Sequence, residues 1–129
     1  MLIQNKSRVA SKILEKKTIS IALNYKKDKM YPSAIVGAEF SYFKRVDKSG
    51  PINPNILVKN LRNSLVAIGN LFTRVNGNTI GCCAEVNCAN QILKERPYLK
   101  LNQIIFSKAF RPRTMQEIPQ CNNCKQTFK

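Results

Sequence analysis

The chain has 129 residues, enough for one modest hydrophobic core and not for two, so it reads as a single domain over residues 1–129. Lysine and arginine number 22 against 7 acidic residues, and with no histidine the formal charge of +15 is insensitive to pH near neutrality. No apolar run approaches the 18 residues of a membrane segment and no strongly amphipathic basic helix is present, so this charge favours nucleic acid, whose phosphates release counterions on binding, over an anionic membrane.

Residues 1–10 carry Lys6 and Arg8 but no apolar h-region, so no signal peptide is read there. Residues 1–30 form a basic N-terminal segment, helix or linker; with Ile13-Leu14 and Thr18–Leu23 as its apolar stretches, one long helix and a helix followed by an extended piece fit equally. Pro32 closes this region, and residues 33–40 read as a strand that continues through Tyr42, Phe43 and Val46. No Asn-Gly or Asp-Gly pair separates the two pieces, so a hairpin and one bent strand are both compatible. Two prolines and a glycine in residues 48–54 end the element. From Pro54, apolar residues at Leu57, Leu61, Leu65, Ile68 and Phe72 predict a helix with one core-facing stripe. Asn76-Gly77-Asn78 makes a turn. Cys83 to Arg96 reads as a helix ended by Pro97, with Val86, Ala89, Ile92 and Leu93 on its buried side. Leu101 to Phe110 reads as one strand, and the stiff cationic loop of residues 110–114 leads to Pro119 and a last helix start at Cys121. No internal repeat or low-complexity tract is present.

The five cysteines, Cys82, Cys83, Cys88, Cys121 and Cys124, are odd in number and confined to the second half, which suits metal-bound thiolates in a reducing compartment better than a disulfide scaffold. Cys83 stands at a helix start, where free amides and the macrodipole stabilise a thiolate. Helical side chains lean toward the N-terminus, so Glu85 can reach back beside an ion held by Cys83 without ligating it. Cys121 and Cys124, three apart, present both sulfurs to one ion. Three thiolates and a carboxylate are the inventory of a zinc-dependent hydrolytic deaminase: zinc leaves its fourth position to water, which attacks C4 of cytosine or C6 of adenine while Glu85 moves protons.

Each piece alone has an ordinary explanation. Glu85 could be a helix-start acid favoured by the dipole, and a lone C-x-x-C is more often structural zinc, a disulfide or a redox pair. The two motifs together, in the order strand, C-x-E helix, strand, P-x-C-x-x-C helix, carry the catalytic reading. Cys82 is the competitor for the first ligand position; were it to join the other three sulfurs, the result would be a non-catalytic, zinc-stabilised nucleic-acid-binding module. Core packing is the expectation for Cys88. Lys16, Lys17, Lys26 and Lys27 suit a solvated face. Arg111 and Arg113, fixed by Pro112 near the ligands, are the candidates for phosphate or base contact, with Phe110 and Ala84 beside them. Tyr31, Tyr42 and Phe72 are further aromatics available for base stacking.

Three stretches, Gly81-Cys82-Cys83-Ala84-Glu85-Val86-Asn87, Phe106 to Thr114, and Pro119-Gln120-Cys121-Asn122-Asn123-Cys124, resemble the YwqJ-like deaminases, toxin domains of bacterial polymorphic toxins in the cytidine deaminase-like superfamily. Tyr31-Pro32-Ser33-Ala34 to Gly37 is similar to the family's first-strand entry, so the resemblance covers residues 31–129. It implies a three-layer α/β/α sandwich, with Cys83, Cys121 and Cys124 as zinc ligands and Glu85 as proton shuttle. Two departures stand out: Gln120 separates Pro119 from Cys121, and five residues follow Cys124, so that either this is a minimal version with few or no strands after the second motif or N-terminal segments fill the gap. The biology implied is export within a larger toxin, deamination of nucleic acid in the target cell's cytoplasm, and neutralisation by an immunity protein. The leading substrate is cytosine in single-stranded or flipped-out DNA, with adenosine in RNA as the alternative.

Overall fold

The structure, a computed structural model, describes residues 9–129, so the reading of Lys6 and Arg8 lies outside the described residues. The lysine-rich region forms one helix, α1 (Lys12–Lys27), which resolves the first open alternative. Its start is fixed by Ser11, whose hydroxyl accepts from the Leu14 amide at 3.2 Å and donates to the buried carboxylate of Glu39 at 2.8 Å. Leu14, Thr18 and Ala22, spaced four apart, are its buried stripe.

Strands β1 (Ile35–Phe40) and β2 (Phe43–Lys48) pair antiparallel from Phe40 opposite Phe43 to Ile35 opposite Lys48, so the second alternative resolves as a hairpin. Its two-residue turn is Ser41-Tyr42, with Ser41 at φ +55° in place of the glycine or asparagine usual there. β1 is buried on both faces. Its odd residues meet α1: a methyl on Gly37 would lie 2.7 Å from Leu14 Cδ1. Val36 and Ala38 point the other way, into the main core.

The predicted helix from Pro54 is shorter than its apolar stripe. α2 spans Lys59–Val66, because the buried amide of Asn90 accepts from Val58 N and donates to Ile56 O, each at 2.9 Å, and takes that backbone out of a helical ladder. Leu57, Leu61 and Leu65 are buried, whereas Phe72 lies in the following loop at φ +65° and is exposed. A small hairpin follows, β3 (Arg74–Val75) and β4 (Asn78–Thr79), closed by Asn76 and Gly77 at φ +54° and +81°.

Helix α3 (Ala84–Glu95) packs on β1 and β2 opposite α1, giving helix, sheet and helix layers in a mixed α/β fold. The predicted strand over residues 101–110 is corrected. It opens as a single 3₁₀ turn, Leu101–Gln103, and then breaks into β5 (Ile105–Phe106) and β6 (Ala109–Arg111), both antiparallel to β1. Phe106 lies opposite Ala38 but Phe110 lies opposite Ile35, so the three residues from Ser107 to Ala109 face only Val36 and Gly37 of β1: a β-bulge. The buried Ser107 hydroxyl sustains it by accepting from Gly37 N at 2.8 Å. The cationic loop is likewise a hairpin turn, since β7 (Gln116–Ile118) returns along β6 before the second cysteine motif. The sheet order is β2-β1-β6-β7, with β5 also on β1, and the last element is α4 (Asn122–Thr127).

Candidate metal centre

Cys83 and Cys121 are the N-cap residues of α3 and α4, and the two helix starts converge. Gly81, at φ +88°, turns the chain into the first of them, and Gly50 N pins Cys82 O at 2.8 Å. The Cys83 and Cys121 sulfurs are 3.3 Å apart, and the three sulfurs of Cys83, Cys121 and Cys124 lie within 4.8 Å of one another. Cys121 Sγ also accepts the Cys124 amide at 3.4 Å, a bond that orients it across the turn. No disulfide links the cysteines, and the three together could hold a metal ion.

Glu85 stands beside this cluster rather than in it, with Oε1 3.9 Å from Cys124 Sγ. Burial raises its pKa from the ordinary carboxylate value; its own amide opposes this, the nearby Cys121 adds a smaller rise, and the Cys124 thiol lowers it least. The sulfurs divide unequally. Hydrogen bonds from the Cys124 and Cys83 thiols hold Cys121 low. Cys83 and Cys124 are both raised, foremost by those same bonds to Cys121 and also by burial. All three sulfurs could ionise together only with a cation among them.

The cluster lies on the wall of a cleft of about 310 Å³ to which Cys83, Glu85 and Cys121 contribute. Ala84 and Arg111 line it, Arg111 from the exposed end of β6. Phe110 does not: it sits opposite Ile35, on the sheet face covered by α1. Arg113 is placed elsewhere, its guanidinium 4.2 Å over the ring of Tyr31. Tyr42 projects from the hairpin tip, 93% exposed. Cys82 lines the cleft outside the three-sulfur group, and Cys88 is buried with its thiol donating to Arg45 O at 3.0 Å.

Sequence reasoning missed one part of the lining. Arg74, Gly77, Asn78 and Thr79 come from the β3–β4 hairpin, whose signal is the Asn76-Gly77 pair itself. It also missed Asn123, buried between Cys121 and Cys124 in sequence, which donates to Val75 O at 2.7 Å and accepts from Asn76 Nδ2 at 3.0 Å. This side chain bolts the hairpin to the Cys121–Cys124 turn. Comparison of the chain with protein-family models, with curated proteins and with solved structures finds no significant match.

Proposed function

We propose that the protein is a zinc-dependent nucleic-acid base deaminase that converts cytosine to uracil in single-stranded or flipped-out DNA, on a cytidine deaminase-like three-layer sandwich. The observation that carries this reading is three sulfurs from two helix starts beside a buried, non-ligating carboxylate on a cleft with room for a nucleobase. Sulfurs bonded to tetrahedral zinc at about 2.3 Å stand roughly 3.8 Å apart, which these positions approach. Cys82 stays outside the group, so among the described residues no fourth sulfur closes the shell, and this favours the enzyme over the non-catalytic module.

When bound, zinc supplies Lewis acidity that lowers the pKa of water into the neutral range. Cys83, Cys121 and Cys124 are its holders. Glu85 takes the proton of the attacking water and returns protons to the ring nitrogen and the departing amine, a role suited by a carboxyl pKa raised through burial. The cleft walls hold the base. By its resemblance to toxin deaminases, the domain acts in the cytoplasm of a target cell after export within a larger toxin, and an immunity protein blocks it in the producer.

The test is incubation of zinc-loaded protein with single-stranded DNA, duplex DNA and RNA, read by sequencing for C-to-T and A-to-G changes. Glu85→Ala is expected to keep its zinc and lose at least about a hundredfold in editing. Editing by that variant at the parent's rate would overturn the assignment, and A-to-G changes in RNA would transfer it to adenosine.

A further inference from the structure

We infer that Arg74 and Arg111 form a two-sided phosphate clamp at the rim of the cleft, so that the substrate is a nucleotide inside a polynucleotide strand and not a free nucleoside. This rests on the cleft being the site of base deamination, and it adds a residue, Arg74, from an element outside both cysteine motifs.

Both arginines are exposed and line the same cleft, one from the β3–β4 hairpin and one from the end of β6. The only carboxylate on that lining is Glu85, buried beside the sulfurs. Ion pairs among the described residues are confined to Lys44 with Glu39 and Lys108 with Glu117, so neither guanidinium is neutralised. The Arg111 side chain makes no hydrogen bond at all within the described residues, although its backbone is held in β6 and the hairpin turn. Arg74 makes one, to Gly77 O at 2.8 Å, which lays it along its hairpin with most of its donors uncommitted.

Both are also held on positioned backbone. The bulge at Ser107 shifts β6 by one residue against β1, and only with that shift do Ala109 and Arg111 face the cleft while Phe110 faces α1. Asn123 in turn fastens the Arg74 hairpin to the Cys121–Cys124 turn through Val75 and Asn76. A cleft of about 310 Å³ has room for a base with its sugar, which leaves the phosphates on either side of that sugar at the rim. Guanidinium groups match that anion in charge and in fork geometry. A free nucleoside, lacking phosphate, offers neither arginine an anionic partner.

The experiment measures binding of a labelled single-stranded 12-mer, as DNA and as RNA, to zinc-loaded Glu85→Ala protein across a salt series, with cytidine and deoxycytidine as competitors. Arg74→Ala and Arg111→Ala are each expected to weaken oligonucleotide binding about tenfold and to lower the log–log salt slope by about 1. Lys17→Ala, which removes an exposed charge from α1, serves as the measure of diffuse attraction. Nucleosides at concentrations far above the oligonucleotide should not displace it. Affinities and slopes of both arginine variants equal to those of Lys17→Ala, or displacement by nucleoside at the oligonucleotide's own concentration, would overturn the clamp. Tighter binding of DNA or of RNA, with the arginine effects present, supports it and identifies the sugar accepted. Loss of the clamp with editing intact sinks this inference alone; a clamp that binds strands in a protein that edits none sinks the deaminase reading and leaves the clamp standing.

Discussion

Cys121 is held low by hydrogen bonds from the Cys124 and Cys83 thiols and from the Cys124 amide, while Cys83 and Cys124 are raised, so three sulfur anions do not form together without an ion among them. Cys83 and Cys124 must therefore release their protons when an ion binds. Both thiols are raised above their ordinary values, so protons compete with metal throughout the neutral range, and affinity must climb as pH rises. Two displaced protons give a slope of about a hundredfold in Kd per pH unit, and Cys83→Ser should bring it to about tenfold while weakening the site. Competition against a chelator of known affinity at three values between about pH 6 and 8 measures this. A Kd independent of pH would mean that the sulfurs are not the ligands.

The elements that sequence made legible are those whose cause is local. C-x-E and C-x-x-C each sit on a single helix turn, so Cys83, Glu85, Cys121 and Cys124 could be read from their spacing, and Pro97 marked the end of α3 within two residues. What escaped has its cause far along the chain. Asn90 shortens α2 from 32 residues away, and Gly37 accepts the bulge through Ser107 from 70 residues away, bonds that no periodicity records. The β1–β2 hairpin was ambiguous because Ser41 adopts a left-handed conformation without the usual turn residue. The bulge has a measurable energy. Ser107→Ala leaves the buried Gly37 N–H without its acceptor and removes the partner of Thr18 Oγ1, 3.1 Å away, which should lower stability by about 1–3 kcal/mol. Denaturant unfolding at saturating metal tests it. An unchanged midpoint would show that water or a shifted strand replaces the hydroxyl and that the bulge does not depend on it.

Across the whole molecule, the layers are unevenly secured. α1 and α3 cover the two faces of β1 with buried side chains, whereas α4 has six residues and is too short to persist without tertiary support. That support comes from Phe128 edge-on to Phe106 at 4.8 Å, from Asn123, and from the sulfurs of Cys121 and Cys124. An ion shared with Cys83 would clip α4 to α3 and, through Asn123, stiffen the hairpin that carries Arg74. Saturation at about 1,000 times Kd adds about 4 kcal/mol by linkage, and the elements that gain most are those with least packing of their own. Chelation should therefore speed amide exchange in residues 122–128 and 74–79 while β1 and α3 keep their protection. Hydrogen exchange with and without chelator separates three cases: the selective pattern supports a clip, uniform loss makes the ion a condition of the entire fold, and no change means the sulfurs do not bear on how α4 is held.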